Sequence, residues 1–163
     1  MSARPVAIRL LEQRKIPHEV FAFDETIRSA DEVARVTGAP PAAVYKTLVI
    51  EEDPPKGKPR LFMVPSDSEV DLRALAAMLG IKKLRMASHR DAERYTGLKV
   101  GGISAVALAG KGFTTLIDAR CQEFDRILVS AGQRGLDVRL AVSDLLAFTG
   151  ATMAGGCTRV ARP

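Results

Sequence analysis

No long segment of this chain is free of a residue that ends a helix or a strand. Thirteen glycines and nine prolines are spread over 163 residues, and the widest interval without either runs from Pro17 to Gly38. A membrane span is excluded, since no apolar run approaches the ~20 residues a spanning helix needs. What remains is a succession of short elements. Ser2 can cap a first helix with Pro5 in its first turn and Val6, Ala7, Leu10 and Leu11 on one face. That helix should end near Lys15, before Pro17. His18 to Phe23 reads as a strand. Ser29-Ala-Asp-Glu32 is a capping box that opens a short helix stopped by Gly38. Tyr45 to Ile50 and Arg60 to Val64 read as strands of a hairpin around the Pro/Gly/Lys loop from Asp53 to Pro59.

The same pattern continues. Asp71 caps a helix from Leu72 to Leu79 closed by Gly80. Lys82 to Met86 is a short strand, and Ser88-His-Arg-Asp91 starts a helix ending at Gly97. Thr114 to Ile117, Ile127 to Val129 and Val138 to Ala141 read as strands, with a turn from Ser130 to Gly135. Ser143 is placed as the cap of a last helix, Asp144 to Phe148, and the tail after Met153 is weakly patterned. Short helices interleaved with six or seven strands imply one mixed α/β (α+β) domain spanning residues 1–163. The hairpins speak against a doubly wound parallel sheet.

Composition narrows the chemistry. Cys121 and Cys157 stand apart with no Cys-x-x-Cys and no His/Cys cluster, so no metal site is expected. The N-terminus lacks the apolar core of a signal peptide, which makes a cytoplasmic setting and free thiols the expectation. Lys and Arg exceed Asp and Glu by 24 to 19. Residues 1–81 hold 11 basic and 12 acidic side chains and residues 82–163 hold 13 and 7, so the whole excess lies in the second half. That asymmetry suits a polyanionic partner. With no Trp and two Tyr, such a partner would be held through phosphates and main-chain amides rather than by base stacking.

Four features can carry chemistry. Lys46 falls on the face of Leu48 and Ile50 in an apolar strand, where it must find water, an acid or an anionic ligand; a snorkelling strand-end lysine is the plainer reading. Gly101-Gly102 lets the main chain approach a ligand and offer N–H groups to a developing oxyanion, or is an ordinary turn. In Ser130-Ala-Gly-Gln-Arg-Gly-Leu-Asp137, Arg134 between glycines could be held out towards phosphate and Asp137 could orient a substrate amine. Lys82, Lys83, Arg85, His89, Arg90 and Arg94 form a basic run that suits either a phosphate backbone or solvent. His18 and His89 have no spaced partners and Ser104 lacks a nucleophile elbow, so no hydrolase triad can be assembled.

These segments, in their order and spacing, resemble the YbaK/EbsC family of aminoacyl-tRNA editing domains. The resemblance rests on Val44-Tyr-Lys-Thr-Leu48, Leu72 to Gly80 with Lys82-Lys83, Thr96-Gly97 with Val100-Gly-Gly-Ile-Ser104, Ile117-Asp-Ala119 with Gln122-Glu-Phe124, and Val129 to Asp137. It implies a single domain with a mixed, barrel-like sheet flanked by short helices. It also implies a deacylase acting in trans on a mischarged tRNA, in the YbaK branch Cys-tRNA(Pro), without cofactor or metal. The partner would be the tRNA acceptor end, with prolyl- or cysteinyl-tRNA synthetase alongside. Lys46 matches the family's functional lysine, for the 3′-terminal adenosine or its phosphate. The segment Gly101, Gly102, Ile103, Ser104 and Ala105 matches the loop whose backbone positions the aminoacyl carbonyl. Ser130, Arg134 and Asp137 would line the same pocket, and Lys82, Lys83, Arg85, Arg90 and Arg94 would meet the tRNA backbone. The cysteinyl thiol would attack its own ester, so the protein need supply no nucleophile. Ala105 stands where the family's loop has proline and Phe23 where close members have tyrosine. Deacylation of another small amino acid such as alanine, or an idle acceptor-end or nucleotide-binding module, are the alternatives.

Overall fold

The computed structural model describes residues 5–27 and 29–161. Five helices of eight residues each, α1 (Val6–Gln13), α2 (Ala30–Thr37), α3 (Leu72–Leu79), α4 (His89–Thr96) and α5 (Val142–Thr149), are set among ten strands. These are β1 (His18–Ala22), β2 (Tyr45–Glu52), β3 (Arg60–Pro65), β4 (Ser68–Val70), β5 (Leu84–Met86), β6 (Thr114–Asp118), β7 (Arg126–Gln133), β8 (Leu136–Ala141), β9 (Thr152–Ala154) and β10 (Thr158–Val160).

The caps read from sequence are present where an oxygen-bearing side chain precedes the helix. The Ser29, Asp71 and Ser88 side chains accept the N–H groups of Glu32, Ala74 and Asp91. α2 to α5 each end on a glycine in the left-handed conformation. Three expectations are corrected. Ser143 lies inside the first turn of α5, whose cap is Ala141, because the Asp125 carbonyl already takes the Val142 N–H at 2.9 Å. Pro5 precedes α1 rather than sitting in its first turn, and Val6 is exposed while Ile8 joins Ala7 and Leu11 in the core; the expected cap Ser2 lies outside the described residues. The turn expected from Ser130 onwards is mostly strand: β7 runs on to Gln133 through a bulge between Ser130 and Gln133. β4, β9 and β10 are additional strands of three residues, too short to show alternation.

The strands form three hydrogen-bonded sheets rather than one closed barrel. The largest is mixed, in the order β5-β2-β3-β6-β9, antiparallel on the β5 side and parallel from β3 to β9. β1-β8-β7 is antiparallel, and β4 pairs with β10. Alternation along β2 and β3 sends Tyr45, Val49, Leu61 and Met63 into the main core and Ile50, Phe62 and Val64 into a second core that includes Leu75 of α3. The first and second sheets meet where Val44, at the entrance to β2, bridges in parallel to Leu128 of β7. Beyond that bridge β5 pairs only with Ile50–Glu52, so one edge of Tyr45–Leu48 has no strand of the described residues paired to it.

Candidate active site

At this uncovered edge lies a cleft of about 220 Å3. β2 supplies Tyr45, Lys46, Thr47 and Leu48, the loop after α4 supplies Val100, Gly101 and Ile103, and the β7–β8 pair supplies Ser130 and Asp137, with Val33 and Val44 closing an apolar side. Lys46, Gly101, Ile103, Ser130 and Asp137 are thus brought together from the residues expected by sequence. Gly102, Ser104, Ala105, Phe23 and Arg134 do not line the cleft. Sequence reasoning missed Val33, Val44, Tyr45, Thr47, Leu48 and Val100 as site residues. Only the adjacency of Val44, Tyr45, Thr47 and Leu48 to Lys46 signals them.

Lys46 is half-buried, and its ammonium makes no hydrogen bond or ion pair with a described residue. Asp137 lies opposite Ser130 across the β7–β8 pair and opposite Phe21 across the β1–β8 pair. It is 8% exposed, also without such a partner, and burial pushes its carboxyl up to about 7. A cation and a carboxyl without counter-ions among the described residues therefore face one cleft. That arrangement costs folding energy and suits a ligand carrying both charges.

The glycine pair has two distinct jobs. Gly102 packs against main chain: a Cβ there would stand 2.7 Å from the Gln133 carbonyl carbon and 2.8 Å from the Arg134 nitrogen. Its N–H is taken by the Lys99 carbonyl at 2.8 Å. Gly101 takes a φ of +94° and lines the cleft. The N–H groups of Gly101 and Ile103 have no acceptor among the described residues. Glu93 of α4 accepts the Val100 N–H at 2.9 Å, and Arg134 Nε donates to the Val100 carbonyl at 2.8 Å. The Val100 N–H holds the Glu93 carboxyl below its ordinary range, helped by the charges of Lys99 and Arg134. Arg134 is therefore folded onto the loop through its Nε. Ser104 is buried and its Oγ accepts the Ala107 N–H at 3.1 Å. Ala105 sits in the main core. Phe23 packs beside Val33 and Val44, its N–H bonded to the Gly135 carbonyl at 2.9 Å.

Among the described residues, the Thr47 and Ser130 hydroxyls line the cleft without a histidine or thiol beside them. Neither histidine lines the cleft, and His18 Nδ1 lies 2.8 Å from the Ile16 carbonyl. Burial raises the Cys121 thiol and the Tyr45 hydroxyl, so both stay protonated at neutral pH. The basic run lies on β5, α4 and the approach to β5. Arg85 pairs with Glu51 at 2.8 Å and Asp53 at 3.4 Å, Lys83 with Asp53 at 3.3 Å, and Arg94 with Asp91 at 3.2 Å. Lys82 and Arg90 are exposed and have no acidic partner among the described residues.

Comparison with known proteins bears on the same region. The family model described as an aminoacyl-tRNA editing domain matches residues 24–148, which include every residue lining the cleft. The chain is 36% identical over 145 residues to EbsC of Enterococcus faecalis, named as a candidate Cys-tRNA(Pro)/Cys-tRNA(Cys) deacylase, with 88% of this chain and 87% of that protein covered. A stretch of 81 residues is 36% identical to part of proline–tRNA ligase from Geobacter metallireducens, covering 50% of this chain and 14% of the ligase. The crystal structure of a candidate trans-editing enzyme for prolyl tRNA synthetase matches with a TM-score of 0.79 and 26% identity over 94% of this chain and 98% of that one. On sequence and fold alike, the chain belongs to the aminoacyl-tRNA editing domain family.

Proposed function

We propose that the protein is a free-standing deacylase that removes cysteine from mischarged tRNA(Pro). The observation that carries this is the pairing of an uncommitted Lys46 with an unpartnered Asp137 in one small cleft beside the Gly101 main chain. An aminoacyl-tRNA end offers the matching charges: phosphate for Lys46 and an α-ammonium for Asp137. Arrival of the ammonium ionises Asp137 and strengthens the grip. The Gly101 N–H then faces the ester carbonyl as negative charge develops on its oxygen. The substrate thiolate attacks that carbon. An S–C bond forms, the ester C–O bond breaks, and the ribose oxygen leaves and takes up a proton. A cyclic thiolactone and free tRNA result. Holding the ester and thiol in one conformer is the protein's contribution. Ala105 does not weaken this reading, because it packs in the core, away from the cleft. The likeness of half the chain to part of a proline–tRNA ligase supports prolyl-tRNA synthetase as the partner whose errors are corrected.

The test is loss of the aminoacyl group from Cys-, Ala- and Ser-charged tRNA(Pro). Cys-tRNA(Pro) should be cleaved fastest, and the Lys46→Ala variant should be slower by about a hundredfold. Absence of cleavage on all three would leave only a binding module. Undiminished turnover when the substrate thiol is replaced by hydroxyl would rule out the self-attack.

A further inference from the structure

We infer that Arg134 and Glu93 are positioning residues, Arg134 holding the carbonyl of the Val100–Gly101 peptide and Glu93 the N–H of the peptide before it, so that the Gly101 N–H is presented to the cleft. This rests on the proposed deacylation at the same site. The Val100–Gly101 segment belongs to no helix or strand, so no ladder holds its orientation. The turn bond from the Gly102 N–H to the Lys99 carbonyl closes the segment, and two charged side chains from different elements grip the peptides inside it. Glu93, on the last turns of α4, accepts the Val100 N–H at 2.9 Å. Arg134, in the turn between β7 and β8, donates from Nε to the Val100 carbonyl at 2.8 Å. Both polar groups of one residue are thus gripped by ionic partners, and such hydrogen bonds are stronger than neutral ones.

The direction of the grip is what matters. In a trans peptide the carbonyl and the following N–H point opposite ways. The Val100 carbonyl points at Arg134, which lines a separate groove with Glu25, Lys99 and Gln133. The Gly101 N–H accordingly points away from that groove, and it is Val100 and Gly101 that line the cleft. The Arg134 stem also fits against Gly101, where a Cβ would stand 3.4 Å from its Cγ and Nε. Gly102 seats the loop on the Gln133–Arg134 main chain. Without either side chain the loop would stay docked through Gly102, but the Val100–Gly101 peptide would lose its carbonyl's partner (Arg134) or the peptide before it its N–H's partner (Glu93), and the turn would be freer to re-orient.

The test combines kinetics with amide NMR on Glu93→Ala, Glu93→Gln, Arg134→Ala and Arg134→Lys, each checked for an unaltered thermal midpoint. Glu93→Ala and Arg134→Ala should lower kcat for Cys-tRNA(Pro) by about tenfold to a hundredfold, with KM within about threefold of wild type. The Gly101 amide resonance should move in both, and the Val100 amide should lose exchange protection in Glu93→Ala. Glu93→Gln keeps an oxygen acceptor and should recover most of kcat. An unchanged kcat, a change in KM alone, or a fall in kcat with the Gly101 amide unmoved would overturn the inference. If the wild-type protein cleaves none of the charged tRNAs, the deacylase reading has failed and not the clamp. The clamp then stands if the Gly101 amide moves in the alanine variants and falls if it does not.

Discussion

Asp137 shows what a buried carboxyl does to the protein that carries it. Its pKa of about 7 in the fold compares with about 3.9 in an unfolded chain. Below pH 4 it is protonated in both states and contributes nothing to the difference. Between pH 4 and 7 only the unfolded state gives up the proton, so stability falls as pH rises, and the full penalty is present above pH 7. That penalty is at most about 4 kcal/mol. Asp137→Asn should therefore gain thermal stability at pH 8 over wild type and lose that advantage at pH 4, while cleavage of charged tRNA falls. An equal gain at both pH values in a calorimetric series would show that the carboxyl is not buried as described. Stability given up at one residue for binding is a common arrangement at functional sites.

The loop after α4 and the turn between β7 and β8 meet main chain to main chain, and the side chain missing at Gly102 makes that possible. Gly102→Ala puts a methyl group 2.7 Å from the Gln133 carbonyl carbon. Overpacking of this kind costs about 1–3 kcal/mol, so Tm should fall by several degrees and kcat with it. Gly155→Ala, whose Cβ would meet the Ala119 Cβ at 3.8 Å, is the control and should leave Tm nearly unchanged. A Tm for Gly102→Ala equal to that control would disprove the close approach. Elements of this size were legible in the sequence wherever a local rule governs them: Ser29, Asp71 and Ser88 as caps, and the β2–β3 hairpin from alternation. Ser143 misled because a distant carbonyl, Asp125, replaced the side-chain cap. The three-residue strands β4, β9 and β10 exist only through partners far along the chain. In the site, Lys46, the glycine pair and Asp137 stood out as departures from pattern. Glu93 did not, because on α4 it looks like any solvated helix glutamate until the fold sets it beside Val100.

Charge acts over the molecule as a whole. The net +5 comes entirely from residues 82–163, yet Arg85, Lys83 and Arg94 are partly spent on Glu51, Asp53 and Asp91. Lys82 and Arg90, exposed and without an acidic partner among the described residues, are open to an outside anion. Affinity for tRNA should fall about tenfold between 50 and 200 mM salt, and the Lys82→Ala/Arg90→Ala double variant should flatten that dependence more than Arg94→Ala does. A binding curve indifferent to salt would assign the charge to solubility alone. The uncovered edge of β2 has one more consequence. The cleft beside it is completed by residues 100–103 and 130–137, and β8 is itself pinned by β1 through pairs such as His18 with Leu140. A chain emerging from the ribosome thus carries Lys46 long before Asp137 is made, and contacts this remote in sequence close slowly. Half-made copies hold no cleft in which to trap the charged tRNAs crowding the translating ribosome; proofreading capacity arrives all at once, with the finished molecule.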